Sequence, residues 1–249
     1  MDTSQLFDHF ASRYAASRPH YPTALFDYLA GLTETRERAW DCATGNGQAA
    51  LGLARHFGQI EATDISAGQI EQAFEDERLR FTVEAAESRV FEANTFDLVS
   101  VAQALHWFDL DRFWPEVGRA LKPTGVFACY CYSWHQVSSE IDAVTKTSIR
   151  DVIEPYWSAQ NRLSWDRYDS IDFPFDRLET PQFEMENLWD LNQYLDYMST
   201  WSASDRCLKK LGDAWWLKAS KQIGDAWGDA KGKRMIKMPL TLIAGRAWI

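Results

Sequence analysis

Apolar residues in this chain recur with two different periods, and the change between them divides it. From residue 4 to 16, Leu6, Phe7, Phe10 and Tyr14 fall at spacings of 1, 3 and 4, which lays one apolar stripe along a helix. The prolines of Arg18-Pro19-His20-Tyr21-Pro22 stop that helix and start another. Leu25, Phe26, Tyr28, Leu29 and Leu32 carry the pattern on, with Gly31 near its end. Short apolar runs then alternate with helical stretches. Strands are predicted at about Ala39 to Cys42, Gly58 to Asp64, Phe81 to Val83, Phe96 to Ala102 and Val126 to Tyr132. Helices are predicted over Ala49 to Ala54, after Ser66 (with Gln69 completing a capping box), and over Leu110 to Leu121. The run from Phe96 to Ala102 is apolar on both faces, as a buried parallel strand requires.

After about Trp134 the rhythm changes. Ile141, Val144, Ile149, Val152 and Ile153 predict one long helix, followed by a polar stretch to about Arg177. Phe183 to Trp189 reads as a strand, although its alternation is imperfect. Leu188, Leu191, Leu195 and Met198 share a helical face, and further helix is expected from about Asp205 to Ala230. Met238 to Trp248 is a last strand with no helix behind it, so it is expected to pair antiparallel, near or at the sheet edge. The expected architecture is α/β: a doubly wound, mostly parallel seven-stranded sheet with helices on both faces. One domain, 1–249, accounts for the pattern. It has lid helices at 1–35, a ligand-binding core at 36–134, a helical cap with one strand at 135–232, and the final strand at 233–249.

Composition narrows this picture. The formal charge of -10 argues against a surface built for phosphate backbones or anionic lipid, so no nucleic-acid partner is expected. No apolar run approaches the roughly 18 residues of a membrane span, and the N-terminus lacks a basic and apolar leader. A cytoplasmic protein, monomer or homodimer, is expected. The four cysteines match neither a zinc site nor a disulfide framework and are expected as buried thiols. The 12 tryptophans fall largely beyond position 100, where large flat side chains either pack or wall a ligand pocket.

The chemistry concentrates in Asp41-Cys42-Ala43-Thr44-Gly45-Asn46-Gly47. From Gly45 the turn fits G-x-G-x-x-A, a dinucleotide fingerprint, and a dinucleotide-dependent oxidoreductase is one reading. Asp41 stands where a dinucleotide fold keeps an apolar residue. Two helices precede the first strand, and the chain ends in a lone strand. An acid ending strand one, a glycine turn and a second acid, Asp64, ending strand two suit S-adenosylmethionine, which has an amino acid end and ribose hydroxyls but no pyrophosphate. Asp41 then holds the ammonium side, directly or through water, and Asp64 accepts both ribose hydroxyls.

The chain resembles the class I S-adenosylmethionine-dependent methyltransferases, particularly the small-molecule group that includes trans-aconitate methyltransferase. The pattern E/D-x-G-x-G-x-G appears at Asp41 to Gly47, and a D-A-E stretch as Ala85-Ala86-Glu87. Ala104-Leu105-His106-Trp107-Phe108 looks like that group's A-x-H-W-F segment, and Leu121 to Gly125 like its L-K-P-G-G turn. Tyr14, Arg18, Pro19, Tyr21 and Pro22 match Y-x-x-x-R-P-x-Y-P, and Thr200-Trp201-Ser202 matches T-W-S. The resemblance implies S-adenosylmethionine as cofactor, held by Asp41, Ala43, Gly45, Gly47, Asp64, Ile65, Ala86, Glu87, Gln103 and Tyr14. It implies a small organic acceptor, such as a carboxylic acid or hydroxyl compound, contacted by Arg18, Tyr21, Trp107, Trp134 and Trp201. His106 is the candidate catalytic base. Two departures stand out: Ala43 replaces the first glycine, acceptable if its φ is negative, and Ala85 replaces an acid that would meet the adenine amino group. Those departures keep open a methyltransferase-like protein that binds the cofactor without turnover.

Overall fold

A computed structural model describes residues 19–88 and 90–246. Tyr14, Arg18 and the first predicted helix lie outside them. The described chain opens with helix α1 (Thr23–Gly31) and alternates β1 (Arg38–Cys42), α2 (Gln48–Leu53), β2 (Gln59–Asp64), α3 (Ala67–Ile70), β3 (Leu79–Val83), β4 (Phe96–Ala102), α4 (Leu110–Ala120) and β5 (Leu121–Tyr132). Four strand pairs, β3-β2, β2-β1, β1-β4 and β4-β5, are parallel. The order β3-β2-β1-β4-β5 reverses direction at β1, so the carboxyl ends of β1 and β4 diverge around a crevice.

The central strands β4 and β5 are largely apolar because each face is covered. Ala39, Leu98, Val126, Ala128 and Tyr130 point into one core with α1 and α2. Their sequence neighbours Trp40, Val99, Phe127 and Cys129 point into the other with Phe113 and Val117 of α4. At the amino edge Asp97 ties three strand starts together. It accepts the N–H groups of Glu37 and Arg38, each at 2.9 Å, the Thr35 hydroxyl, and Lys122 Nζ at 2.8 Å. All four cysteines are buried free thiols, as expected.

Beyond β5 the chain forms α5 (Ser139–Thr145), a π-helical turn (Lys146–Arg150), α6 (Asp151–Ile153) and α7 (Ala159–Trp165). Then come β6 (Asp176–Arg177), β7 (Phe183–Trp189), α8 (Leu191–Ser199), α9 (Ser202–Leu211), α10 (Ala214–Trp227) and β8 (Arg234–Arg246). The final strand is antiparallel to β5, β6 and β7, as expected. The sheet has eight strands because the two-residue β6, too short for any periodicity, adds to the seven. Three other expectations are corrected. The predicted single helix over 141–153 is interrupted by the π turn. Leu188 belongs to β7, where it is 54% exposed, and not to the helical face of α8, which starts only after the Asp190 capping box. The predicted helix from Asp205 to Ala230 is two helices, broken at Gly212 with φ +77°.

Candidate functional site

The turn after β1 takes left-handed backbone at alternate residues: Ala43 at φ +56°, Gly45 at +59° and Gly47 at +85°. The condition under which Ala43 would sit there without strain, a negative φ, is not met; the loop keeps its shape and the alanine bears the strain. Gly47 has a second reason for lacking a side chain, since a Cβ there would lie 2.8 Å from Cζ of Phe81. The folded loop points its amides at its surroundings. Gly45 N–H donates to Asp64 Oδ2 at 2.8 Å, and Ser66 N–H to Oδ1 at 2.8 Å. Asp64 thus stands fixed at the carboxyl end of β2. Ser66 caps α3 by accepting from Gln69 N–H at 3.1 Å, which is the N-cap half of the predicted capping box; the Ser66 N–H itself goes to Asp64 and not to the Gln69 side chain.

Asp41 lies one layer lower. It is fully buried, and it accepts the Thr44 hydroxyl on Oδ2 at 2.6 Å while Oδ1 has no hydrogen-bond partner. Burial pushes its carboxyl up to about 7, the Thr44 bond opposing and the charge of Asp64 adding. Thr44 itself reaches the surface of a cavity of about 320 Å³ that opens over the turn. Asp41 does not: it meets the cavity through Thr44 and not by direct exposure.

Of the residues expected to hold the cofactor, Ala43, Gly45, Asp64, Ile65, Ala86, Glu87 and Gln103 all line this cavity. Gly47 lies behind it, as N-cap of α2. Ile65 is 43% exposed, an apolar face open to a ligand. Glu87 accepts the N–H of Asp109 at 2.8 Å and so joins the loop after β3 to the start of α4. Gln103, at φ +55°, clasps the strand beside it: its amide donates to Tyr132 O at 3.2 Å and accepts from Tyr132 N at 3.1 Å. Tyr21, Trp107, Phe108 and Tyr132 form an aromatic wall.

The remaining candidates are elsewhere. His106 is 5% exposed, its Nδ1 3.0 Å from the Tyr168 hydroxyl, and burial pushes it down to about 4. It sits behind Trp107, with 4.9 Å between ring centroids, and does not line the cavity. The A-x-H-W-F spacing placed it correctly in sequence. The 3₁₀ turn Leu105–Trp107 aims Trp107 at the cavity and His106 at the core. Trp134 and Trp201 also leave the wall; they pack on each other at 5.5 Å with Trp157 and Trp165. Sequence reading passed over Thr44, Asn46, Gln48, Gln69, Glu84, Phe108 and Tyr132, which do line the cavity. Glu84 directly follows β3 and Tyr132 ends β5, so the rule that ligands lie beyond strand carboxyl ends would have found both.

Among the described residues the lining carries three acids, Asp64, Glu84 and Glu87, and no lysine, arginine or histidine. That set supplies three negative charges and no side-chain cation to a pyrophosphate, and it suits a ligand bearing ribose hydroxyls and net positive charge. The fit is to S-adenosylmethionine and not to a dinucleotide.

Comparison with known proteins agrees. Residues 40–129 match the family model described as a methyltransferase domain. The chain is 35% identical to a solved protein of Anaeromyxobacter dehalogenans named as a type II methyltransferase. That match has a TM-score of 0.86 and covers 92% of this chain and 98% of the other. It is 28% identical over 200 residues to a protein of Dictyostelium discoideum named as a methyltransferase, covering 79% of this chain and 76% of that one. A probable S-adenosylmethionine-dependent methyltransferase of Saccharomyces cerevisiae is 24% identical over 239 residues, covering 80% and 81%.

Proposed function

The chain belongs to the class I S-adenosylmethionine-dependent methyltransferases, and from that membership we propose that it methylates a small organic molecule, an organic acid or a hydroxyl compound. The observation that carries this reading is the aromatic wall of Tyr21, Trp107, Phe108 and Tyr132, on the same cavity as the acids. A flat, apolar wall suits a small carbon framework better than a charged polymer, and the chain's charge of -10 gives nucleic acid no general attraction.

In this reading Asp64 accepts the ribose hydroxyls, Ile65 and the Ala86 backbone border the adenine, and Thr44, Gly45 and Asn46 face the amino acid end. Asp41 stabilises the ammonium from below, through Thr44. Gln103 is a positioning residue: it fixes Tyr132 and, through it, the acceptor side of the wall. S-adenosylmethionine supplies a methyl group already activated on a sulfonium. What the protein adds is proximity, alignment and exclusion of water. A carboxylate acceptor needs no proton removed. For a hydroxyl acceptor, the carboxylates of the lining other than Asp64 are Glu84 and Glu87. His106 takes no part, being turned to Tyr168.

The test is methyl transfer from labelled S-adenosylmethionine to a panel of organic acids, phenols and alcohols, with products separated by size. Label in small molecules supports the reading. Label confined to protein or RNA overturns it.

A further inference from the structure

The tryptophan cluster beyond the cavity gathers polar groups that the fold leaves without partners. Trp134 lies two residues past Tyr132, which ends on the cavity wall. Its ring is 5.4 Å from Trp165, 5.5 Å from Trp201 and 6.1 Å from Trp157, centroid to centroid. The Arg150 guanidinium carbon stands 4.0 Å from the Trp134 centroid. Arg150 has no side-chain hydrogen bond or ion pair among the described residues, although its neighbours do: Arg162 pairs with Glu154 at 2.7 Å and Arg206 donates to Tyr156 O at 2.9 Å. The indole N–H of Trp157 is buried without an acceptor, and so is Nδ1 of His135, whose ring is 5.8 Å from Trp201. The other nitrogen of His135 is engaged by the Tyr194 hydroxyl at 2.7 Å.

Arginine often rests on tryptophan simply to cover apolar surface. That alone does not explain the indole N–H of Trp157, the ring that packs edge-on against Trp134: it is buried and unpaired, which is unfavourable until an acceptor arrives. Arg150 is also the last residue of the π-helical turn Lys146–Arg150, a geometry frequent at functional sites. Its positive charge is felt inside the cluster, where it joins burial in holding His135 down to about 3.

We propose that Arg150, stacked on Trp134 and helped by the Trp157 N–H, binds an anionic group (carboxylate or phosphate) on the organic molecule that accepts the methyl. This rests on the small-molecule reading above. The guanidinium offers two parallel N–H donors to such a group, and the tryptophans offer faces to the carbon frame next to it. A molecule held there by its charged end extends toward Tyr132 and the cofactor cavity.

The experiment measures tryptophan fluorescence quenching of the protein saturated with S-adenosylhomocysteine. The probes are cinnamate, phenyl phosphate and the neutral cinnamamide. An anion should bind at least about tenfold more tightly than the amide, and which anion does so separates carboxylate from phosphate recognition. Arg150→Gln should abolish that preference, Arg150→Lys should keep part of it, and Trp157→Phe should weaken it while keeping a ring. S-adenosylhomocysteine affinity should stay within twofold in all three variants, which shows that they fold. Equal binding of anion and amide, no binding of any probe, or a preference that survives Arg150→Gln overturns the proposal. Small neutral acceptors methylated without regard to Arg150 would sink this inference alone, whereas methyl found only on macromolecules would sink the reading it rests on.

Discussion

The Thr44 hydroxyl donates to Asp41 across 2.6 Å, and this one bond joins a fully buried carboxylate to the surface of the cavity over the glycine turn. Asp41 has no other route to the ligand. Its second oxygen is unpaired, and burial holds its carboxyl up at about 7. A positive ammonium near Thr44 would favour the ionised form that the empty protein resists.

That relationship sets a pH dependence with a definite sign. The folded-state value of about 7 lies above the usual carboxylate value, so between pH 4 and 7 the folded state holds a proton that the unfolded chain releases. Asp41 therefore stabilises the ligand-free protein most below pH 4, and that contribution is lost as pH rises to 7. Asp41→Asn, which cannot titrate, should gain on the wild type by about 2–4 kcal/mol between pH 5 and 8 in urea unfolding. Parallel curves for the two proteins would refute the assignment. S-adenosylhomocysteine should bind more weakly to the wild type below pH 7, and Thr44→Val should bind it several-fold more weakly at any pH.

Asp97 behaves in the opposite way, at the far edge of the sheet. It is buried, yet Lys122, Thr35 and two backbone N–H groups hold its carboxyl below the usual carboxylate range against its burial. Its stabilisation is present above the ordinary carboxylate value and is lost as pH falls through the depressed one. Asp97→Asn should cost about 3 kcal/mol at pH 7, because Lys122 loses its buried partner and two amides lose a charged acceptor. Cofactor affinity measured by calorimetry should not change, since the site lies at the opposite ends of the strands.

Ala43 carries backbone strain that a glycine would not. At φ +56° an L-residue is disfavoured by roughly 1 kcal/mol, so Ala43→Gly should raise stability by about 0.5–1 kcal/mol even though glycine frees the unfolded chain. Thermal unfolding of the two proteins decides it. A lower melting temperature in the variant would mean that the strain is illusory.

His106 should leave no mark on the pH–rate profile. Held at about 4 by burial and turned to Tyr168, it stays neutral throughout the range where enzymes of this kind are assayed. Its depressed value means the folded state resists protonation, so stability falls as pH drops from 6.5 toward 4. His106→Asn should lower stability by about 1–2 kcal/mol while kcat keeps the same pH dependence. A wild-type inflection near 6.5 that the variant lacks would restore His106 as a base.

Much of the fold was legible because parallel strands buried on both faces leave long apolar runs such as Phe96 to Ala102, and glycine turns mark where they end. The cavity over the turn was legible for the same reason: Asp41 and Asp64 are acids near strand ends that flank a glycine turn. What could not be read was which way side chains turn within short irregular segments. His106 and Trp107 are adjacent on one 3₁₀ turn, yet only Trp107 reaches the cavity. Trp134 and Trp201 have the composition of a pocket wall, but they find each other across helices far apart in sequence. The π turn that presents Arg150 has no signature in hydrophobic periodicity, since it is an insertion into an otherwise regular pattern.

The account stands or falls on the Asp64 cavity as the cofactor seat. Calorimetric titration of the wild type and Asp64→Ala with S-adenosylhomocysteine, and of the wild type with NAD, tests it directly. The prediction is micromolar or tighter binding of S-adenosylhomocysteine by the wild type, weakened at least about thirtyfold (roughly 2 kcal/mol) by Asp64→Ala, and no heat with NAD. Equal affinity in the two proteins, or binding of NAD in place of S-adenosylhomocysteine, would contradict it.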